Sequence, residues 1–221
     1  RVKGEPNQLI IGFAEFRGMK LMGRPGTFIP RDSSEFLAEQ AVRRLKKRKR
    51  PILVDMACGI GPVALSVAHE IKHATVIGAD LSPEAIKTAR ANAKALGLTA
   101  KFVESDLFAK VPAHVRGKVD VVTLHPPYVA KKEMKELPDE IRLYEPLIVL
   151  SDGSDDGLGL VHATVKACKQ WLRPGGTLLI EVSPDRARAV TDAMKKGGLK
   201  DVKSTMDKGF KVTRVLVGKN P

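Results

Sequence analysis

From residue 51 onward the chain alternates between short runs that are apolar throughout and longer stretches whose apolar residues recur every three or four positions. The runs are Ile52–Met56, Thr75–Ala79, Lys101–Val103, Val119–Leu124, Thr177–Val182 and Lys211–Val217. Continuous aliphatic, β-branched runs of this length are typical of strands buried on both faces. Helical periodicity covers about 62–72, 83–96, 157–172 and 184–196. Strands alternating with helices predict βαβ units, and therefore an α/β, mostly parallel, doubly wound sheet with helices on both faces. The last run, after Gly197-Gly198-Leu199, suits an antiparallel insertion.

The first part of the chain has a different rhythm. Gln8–Phe13 and Met19–Met22 are short apolar runs around a turn at Gly18, which predicts a β-hairpin. A loop at Gly23-Arg24-Pro25-Gly26 follows, then Thr27-Phe28-Ile29-Pro30-Arg31. Asp32, Ser33 and Ser34 are placed to cap a helix with Phe36, Leu37, Ala41 and Leu45 on one face. The pattern divides the chain into a hairpin and linker, 1–32, and a main domain, 33–221.

Charge changes the picture next. Lys and Arg number 38 against 25 Asp and Glu, a formal net charge of +13 on 221 residues. Such a surface favours acidic or nucleic-acid partners. The densest run, Arg43 to Arg50, is either a solvated helix end or a contact for RNA or the ribosome. Cys58 and Cys168 lack metal-ligand spacing, which fits a reducing compartment and predicts no metal site. No run approaches a membrane span, so a cytoplasmic location is expected. The chain opens at Arg1 rather than Met, as expected if an N-terminal piece has been removed.

Candidate chemistry gathers where the strands end. Asp55 precedes the small-residue turn Ala57-Cys58-Gly59-Ile60-Gly61, which leads into a helix. Small residues admit a ligand close to the backbone, and the helix start offers free N–H groups. The spacing departs from the Gly-x-Gly-x-x-Gly of pyrophosphate binders, and Asp55 can instead receive a cationic amino group. Asp80, at the end of the second strand, can accept both hydroxyls of a ribose, and Leu81 can cover an adenine face. After the third strand, Asp106 of Ser105-Asp106-Leu107 can accept from an adenine amino group. The fourth strand breaks at His125-Pro126-Pro127-Tyr128, where rigid prolines fix carbonyls in place and the aromatic offers a flat face. The Ser151–Gly157 loop is calcium-like in composition without the spacing of an EF-hand, and reads as the approach to a helix.

With these residues the sequence resembles the class I S-adenosylmethionine-dependent methyltransferases, a Rossmann-like family with a mostly parallel seven-stranded sheet. More narrowly it resembles the protein-(glutamine N5) methyltransferases that modify translation release factors and a ribosomal protein. The likeness spans nearly the whole chain, from Gly4-Glu5-Pro6 and Gly12-x-x-Glu15-Phe16 through Ile29-Pro30-Arg31 and Tyr144-Glu145-Pro146 to Leu172-Arg173-Pro174-Gly175-Gly176. It implies S-adenosylmethionine as donor and S-adenosylhomocysteine as product. It puts Asp55, Ala57, Cys58, Gly59, Gly61, Asp80, Leu81, Ser105, Asp106, Leu107 and His125 at the cofactor. Pro30, Arg31, His125, Pro126, Pro127 and Tyr128 would then meet the acceptor, with His125, Pro126 and Tyr128 at the reaction itself.

Three departures stand out. His125 replaces the asparagine of the family's Asn-Pro-Pro-Tyr, and Glu181-Val182-Ser183-Pro184 replaces its Glu-His-Gly pattern. The sequence also holds no counterpart of the family's small helical docking domain. Imidazole offers one donor and one acceptor where an amide offers more, and it adds a base that titrates near neutral pH. The open readings are therefore a glutamine methyltransferase, a methyltransferase of a small molecule or peptide with His125 as base, a nucleic-acid amino methyltransferase, and a cofactor-binding relic. Residues 129–146, rich in Lys and Glu, are expected to form a mobile rim over the acceptor pocket.

Overall fold

The structure, a computed structural model, describes residues 6–221 apart from 139, 140, 142, 143, 208 and 210. Gly4 and Glu5 of the first resembling motif, and part of the expected 129–146 rim, lie outside the described residues.

The main sheet has seven strands: β3 (Ile52–Met56), β4 (Thr75–Asp80), β5 (Lys101–Glu104), β6 (Val119–Leu124), β7 (Leu172–Glu181), β8 (Lys200–Asp207) and β9 (Val212–Lys219). Their order is β5-β4-β3-β6-β7-β9-β8. The first five are parallel, while β9 pairs antiparallel with both β7 and β8. From β3 the chain winds outward to β5, then returns to lay β6 on the other side of β3. Between β3 and β6 lies the switch point where such sheets bind ligands.

Side chains alternate across the sheet as the pleat requires. Leu53 and Val121 join one core with Leu37, Leu45, Leu65 and Phe102, and Val54, Met56, Val122 and Leu124 join the other with Leu178 and Met194. The helices are α2 (Ser33–Leu45), α3 (Pro62–Glu70), α4 (Pro83–Ala95), α6 (Gly159–Cys168) and α7 (Ala187–Lys196), with two short ones, α1 (Asn7–Ile11) and α5 (Leu147–Leu150). Among the described residues no helix is long and apolar enough to cross a membrane.

Three expectations change. Gln8–Ile11 is the short helix α1, closed by Gly12 at φ 79, so the hairpin is β1 (Phe13–Phe16) with β2 (Met19–Met22). A short apolar run does not by itself distinguish helix from strand. Strand β8 was not foreseen, because it is an edge strand with mostly exposed residues and no apolar run. The expected helix over 157–172 is shorter, since β7 begins at Leu172. The hairpin packs into the first core through Phe16, Met19 and Leu21. Asn92 of α4 pins it by accepting from Met22 N at 2.7 Å and donating to Met22 O at 3.3 Å.

Candidate active site

A cavity of about 490 Å³ opens at the carboxyl ends of β3, β4, β5 and β6. That volume is typical of small-molecule sites. Every residue expected at the cofactor lines it except Gly61, and so do Pro30, Arg31 and the whole of His125–Tyr128.

The floor is the turn after β3. Ala57 and Gly59 take positive φ (50° and 53°), and Cys58 N donates to Ala79 O at 3.1 Å, which ties the turn to β4. A Cβ on Gly59 would meet nothing within 4 Å, so open cavity lies over it. Gly61 works from behind: at φ 89 it opens α3, and a Cβ there would strike the Phe102 ring at 2.9 Å. The Cys58 side chain turns away into the core, where burial pushes its thiol well up, so this residue faces the cavity with backbone.

Two acids stand over this floor, Asp55 buried and Asp80 half-buried. Asp55 accepts from Thr123 Oγ1 at 2.6 Å, across the switch point, and from Ala64 N at 3.1 Å. Burial pushes its carboxyl up to about 7 against the pull of those hydrogen bonds, and the nearby Asp80 adds to the rise. Asp80 accepts from Gly59 N at 2.7 Å and Ser82 N at 2.9 Å, and burial raises it too. Neither acid forms an ion pair among the described residues. In a chain of net charge +13, that leaves an uncompensated electronegative floor, suited to a cation with hydroxyl donors.

Above it, Leu81 is 56% exposed, a large apolar side chain facing the opening. Ser82 accepts from Ala85 N at 3.2 Å and caps α4 behind Pro83, as the sequence suggests. Asp106 is exposed at the rim, whereas the Ser105 hydroxyl is committed to its own loop, donating to Leu107 O and accepting from Lys110 N.

The opposite wall is His125-Pro126-Pro127-Tyr128. Its backbone is clamped by the loop before α6: Tyr128 bridges to Ser151, Val129 N donates to Leu150 O at 3.0 Å, and a Cβ on Gly157 would fall 2.4 Å from Tyr128 O. Asp152 of that loop caps α6, accepting from Leu160 N at 2.6 Å and Ser154 N at 2.9 Å. Burial opposes its ionisation, but these bonds prevail and hold its carboxyl low. Segment 27–31 drapes over the histidine. Phe28 meets the His125 ring edge-on with centroids 5.4 Å apart, and Arg31 lies 4.8 Å over Phe28 while pairing with buried Glu145.

Sequence reasoning missed Ser33, Ser34 and Glu181. The serines read as helix caps, yet Asp32 at the N-cap makes no side-chain cap bond. Ser33 instead donates to Glu181 Oε1 at 2.8 Å, and Ser34 Oγ lies 3.1 Å from His125 Nδ1. Glu181 ends β7; the sequence marks it as the acid that opens the departure from the Glu-His-Gly pattern, without linking it to His125.

A second concavity, of about 680 Å³, lies at the amino ends of β3, β6 and β7. Arg44, Lys47, Arg48, Lys49, Arg50, Lys118 and Arg173 surround a single acid, Asp120. Asp120 accepts from Ile52 N at 2.9 Å and pairs with Arg173 at 2.6 Å and Arg48 at 3.2 Å.

Residues 19–141 match the family model described as the methyltransferase small domain. A release factor glutamine methyltransferase of Geobacter sulfurreducens is 32% identical over 219 residues, 99% of this chain and 75% of its own length. One from Moorella thermoacetica is 34% identical over 201 residues, covering 90% and 69%. In fold the chain is similar to a methyltransferase from Pyrococcus furiosus, at TM-score 0.64 and 15% identity over 92% of this chain and 90% of that one. It is also similar to a Thermus thermophilus 16S rRNA N2 G1207 methyltransferase solved with S-adenosylmethionine (AdoMet) and guanosine, at 0.66 and 17% over 95% and 50%.

Proposed function

The chain belongs to the methyltransferase small domain family and to the release factor glutamine methyltransferases, and from that membership we propose that it transfers a methyl group from S-adenosylmethionine to a glutamine side-chain amide of a translation release factor. The observation that carries the cofactor reading is the pair of acids, Asp55 and Asp80, raised by burial and without ion-pair partners among the described residues, over an open glycine turn. The sulfonium and amino groups of S-adenosylmethionine are cations, and they would lie along Ala57, Cys58 and Gly59 below Asp55. Asp80 would accept both ribose hydroxyls, with the adenine over Leu81 and its amino group at Asp106. The donor supplies an already activated methyl, so the protein's task is alignment and removal of water.

In this reading the acceptor amide enters between Pro30, Arg31 and the His125–Tyr128 wall. The Pro126 carbonyl accepts one amide N–H, His125 accepts the other, and Tyr128 flanks the amide plane. The nitrogen lone pair then faces the methyl in line with the departing sulfur. We propose the cytoplasm, where translation factors work, as its setting.

The test is transfer of isotope-labelled methyl into purified release factor and, separately, into the protein, RNA and small-molecule fractions of a lysate. Label in release factor that disappears when its acceptor glutamine is replaced is the expected result. Label confined to a small molecule or RNA would overturn the glutamine reading and favour a changed acceptor at His125.

The amino-end bowl supports a second partner. We propose that it holds the phosphate backbone of RNA, since Lys47, Lys49, Arg50 and Lys118 line it and form no ion pair among the described residues. Replacing those four with Ala is expected to flatten the salt dependence of single-stranded RNA affinity by about 3 units of log–log slope. An unchanged slope would overturn it, and stronger binding to an acidic polypeptide than to RNA would point to a protein instead.

A further inference from the structure

His125 is held from behind by groups that the assignment above leaves unused. Its Nδ1 stands 3.1 Å from the Ser34 hydroxyl and 3.7 Å from Glu181 Oε2. Glu181 is 2% exposed, and while its Oε1 accepts from Ser33, its Oε2 is buried with no hydrogen-bond partner among the described residues. A buried carboxylate oxygen without a donor is costly, and the potential donor beside it is the histidine ring.

We propose that Glu181, with Ser34, is a positioning residue that fixes His125 as the Nδ1–H tautomer, so that Nε2 turns its lone pair to the cavity and takes the proton the methyl acceptor loses. The inference rests on the methyl-transfer reading above and deepens it.

Neutral imidazole has one donor and one acceptor, and what each nitrogen faces decides which is which. A bare Nδ1 would set its lone pair against the carboxylate. A protonated Nδ1 donates to Ser34 Oγ and turns its positive end toward Glu181. The Nδ1 edge is occupied by α2 and β7, and His125 lines the cavity, so the Nε2 edge is the one left to the acceptor. Phe28, edge-on at 5.4 Å, and Tyr128, tilted at 6.0 Å, hold the ring in its plane. Arg31, Arg214 and Asp185 are the other charges of this corner, acting with Glu181 on Tyr128.

The step balances. The acceptor's lone pair forms the new bond to the methyl carbon as the carbon–sulfur bond breaks, its electron pair going to sulfur. The acceptor's proton passes to Nε2, and the imidazolium charge is countered by Glu181. An asparagine at residue 125 would have no basic atom to receive that proton, so the proton-accepting role is specific to the histidine.

A tautomer measurement tests this without any acceptor. Long-range proton–nitrogen correlation spectra of protein carrying isotope-labelled histidine should show the Nδ1–H pattern for the His125 ring, identified by its loss in His125→Asn. Glu181→Gln sets an amide donor near Nδ1 and is expected to move the ring to Nε2–H. It should lower kcat on the order of 10²-fold while KM for the acceptor and affinity for S-adenosylmethionine stay near wild type. In the His125→Asn background the same Glu181→Gln change should alter kcat by less than about threefold, which separates positioning from a folding defect. An Nε2–H ring in the wild type, or equal losses of kcat in the two backgrounds, would overturn the proposal. Absence of transfer to glutamine would overturn only the acceptor assignment, and a ring that switches in Glu181→Gln would still support the positioning role.

Discussion

The two ends of one sheet have opposite chemistry. At the amino end of β3 and β6, Asp120 gathers Arg48, Arg173 and the Ile52 amide, and further cations surround it. At the carboxyl end Asp55 is buried and Asp80 half-buried, both raised in pKa and without ion-pair partners among the described residues. Strand β6 has 6 residues, so about 20 Å of apolar sheet separates the two. The comparison teaches that a net charge says little about a site. Thirteen surplus positive charges do not neutralise the cavity floor, because they collect at the far end and along the surface. That separation is about two Debye lengths at physiological salt, so mobile ions screen each end from the other.

The sharpest way to break the contrast is to remove Asp80. Asp80→Ala leaves the Gly59 and Ser82 amides without their acceptor and deletes the proposed ribose contacts. S-adenosylmethionine affinity by calorimetry should fall on the order of 10²–10³-fold, about 3–4 kcal/mol, with RNA affinity at the other end unchanged.

Changing pH should come next in size. The folded Asp55 keeps its proton up to about 7, whereas the unfolded carboxyl loses it near 3.8. Between those values the native state holds more protons than the unfolded one. Stability of the cofactor-free protein should therefore decline as pH rises from 4 to 7, by on the order of 1.4 kcal/mol per unit from this group. The charged form is the one that attracts a cation. Affinity for S-adenosylmethionine should rise on the order of 10²-fold from pH 5 to 7, and Asp55→Asn should flatten both trends.

Gly78→Ala probes the floor from beneath. A Cβ there would sit 2.5 Å from the Phe102 ring and 2.9 Å from Cys58 Sγ. Urea denaturation should show a loss of about 1–3 kcal/mol, and the turn carrying Gly59 should shift with it.

The smallest effect belongs to the basic end. Asp120→Asn frees Arg48 and Arg173 of their shared carboxylate, so RNA affinity at low salt should rise a few-fold. Cofactor affinity should not move.

Much of this was legible in order of residues. The runs Ile52–Met56 and Val119–Leu124 are strands with those bounds, and Asp55 near the end of β3, Asp80 at the end of β4 and Asp106 just past β5 come together because a parallel sheet puts successive carboxyl ends on one edge. Gln8–Ile11 misled because a run as short as Leu9-Ile10-Ile11 satisfies either period, and Gly12 closes it as a helix. The β8 strand was hidden because an edge strand with little buried surface carries no apolar run.

What the sequence determined by itself was the set of local rules: which segments bury both faces, where small residues let a ligand approach the backbone, and where prolines end a strand. Tertiary structure alone decided the company each group keeps. Ser34 and His125 are 91 positions apart, and Ser33 and Glu181 are 148 apart. Periodicity reports only which face of an element is buried. Which hydroxyl meets which carboxylate depends on how α2 crosses the ends of β6 and β7, and that crossing is set by packing over the whole core.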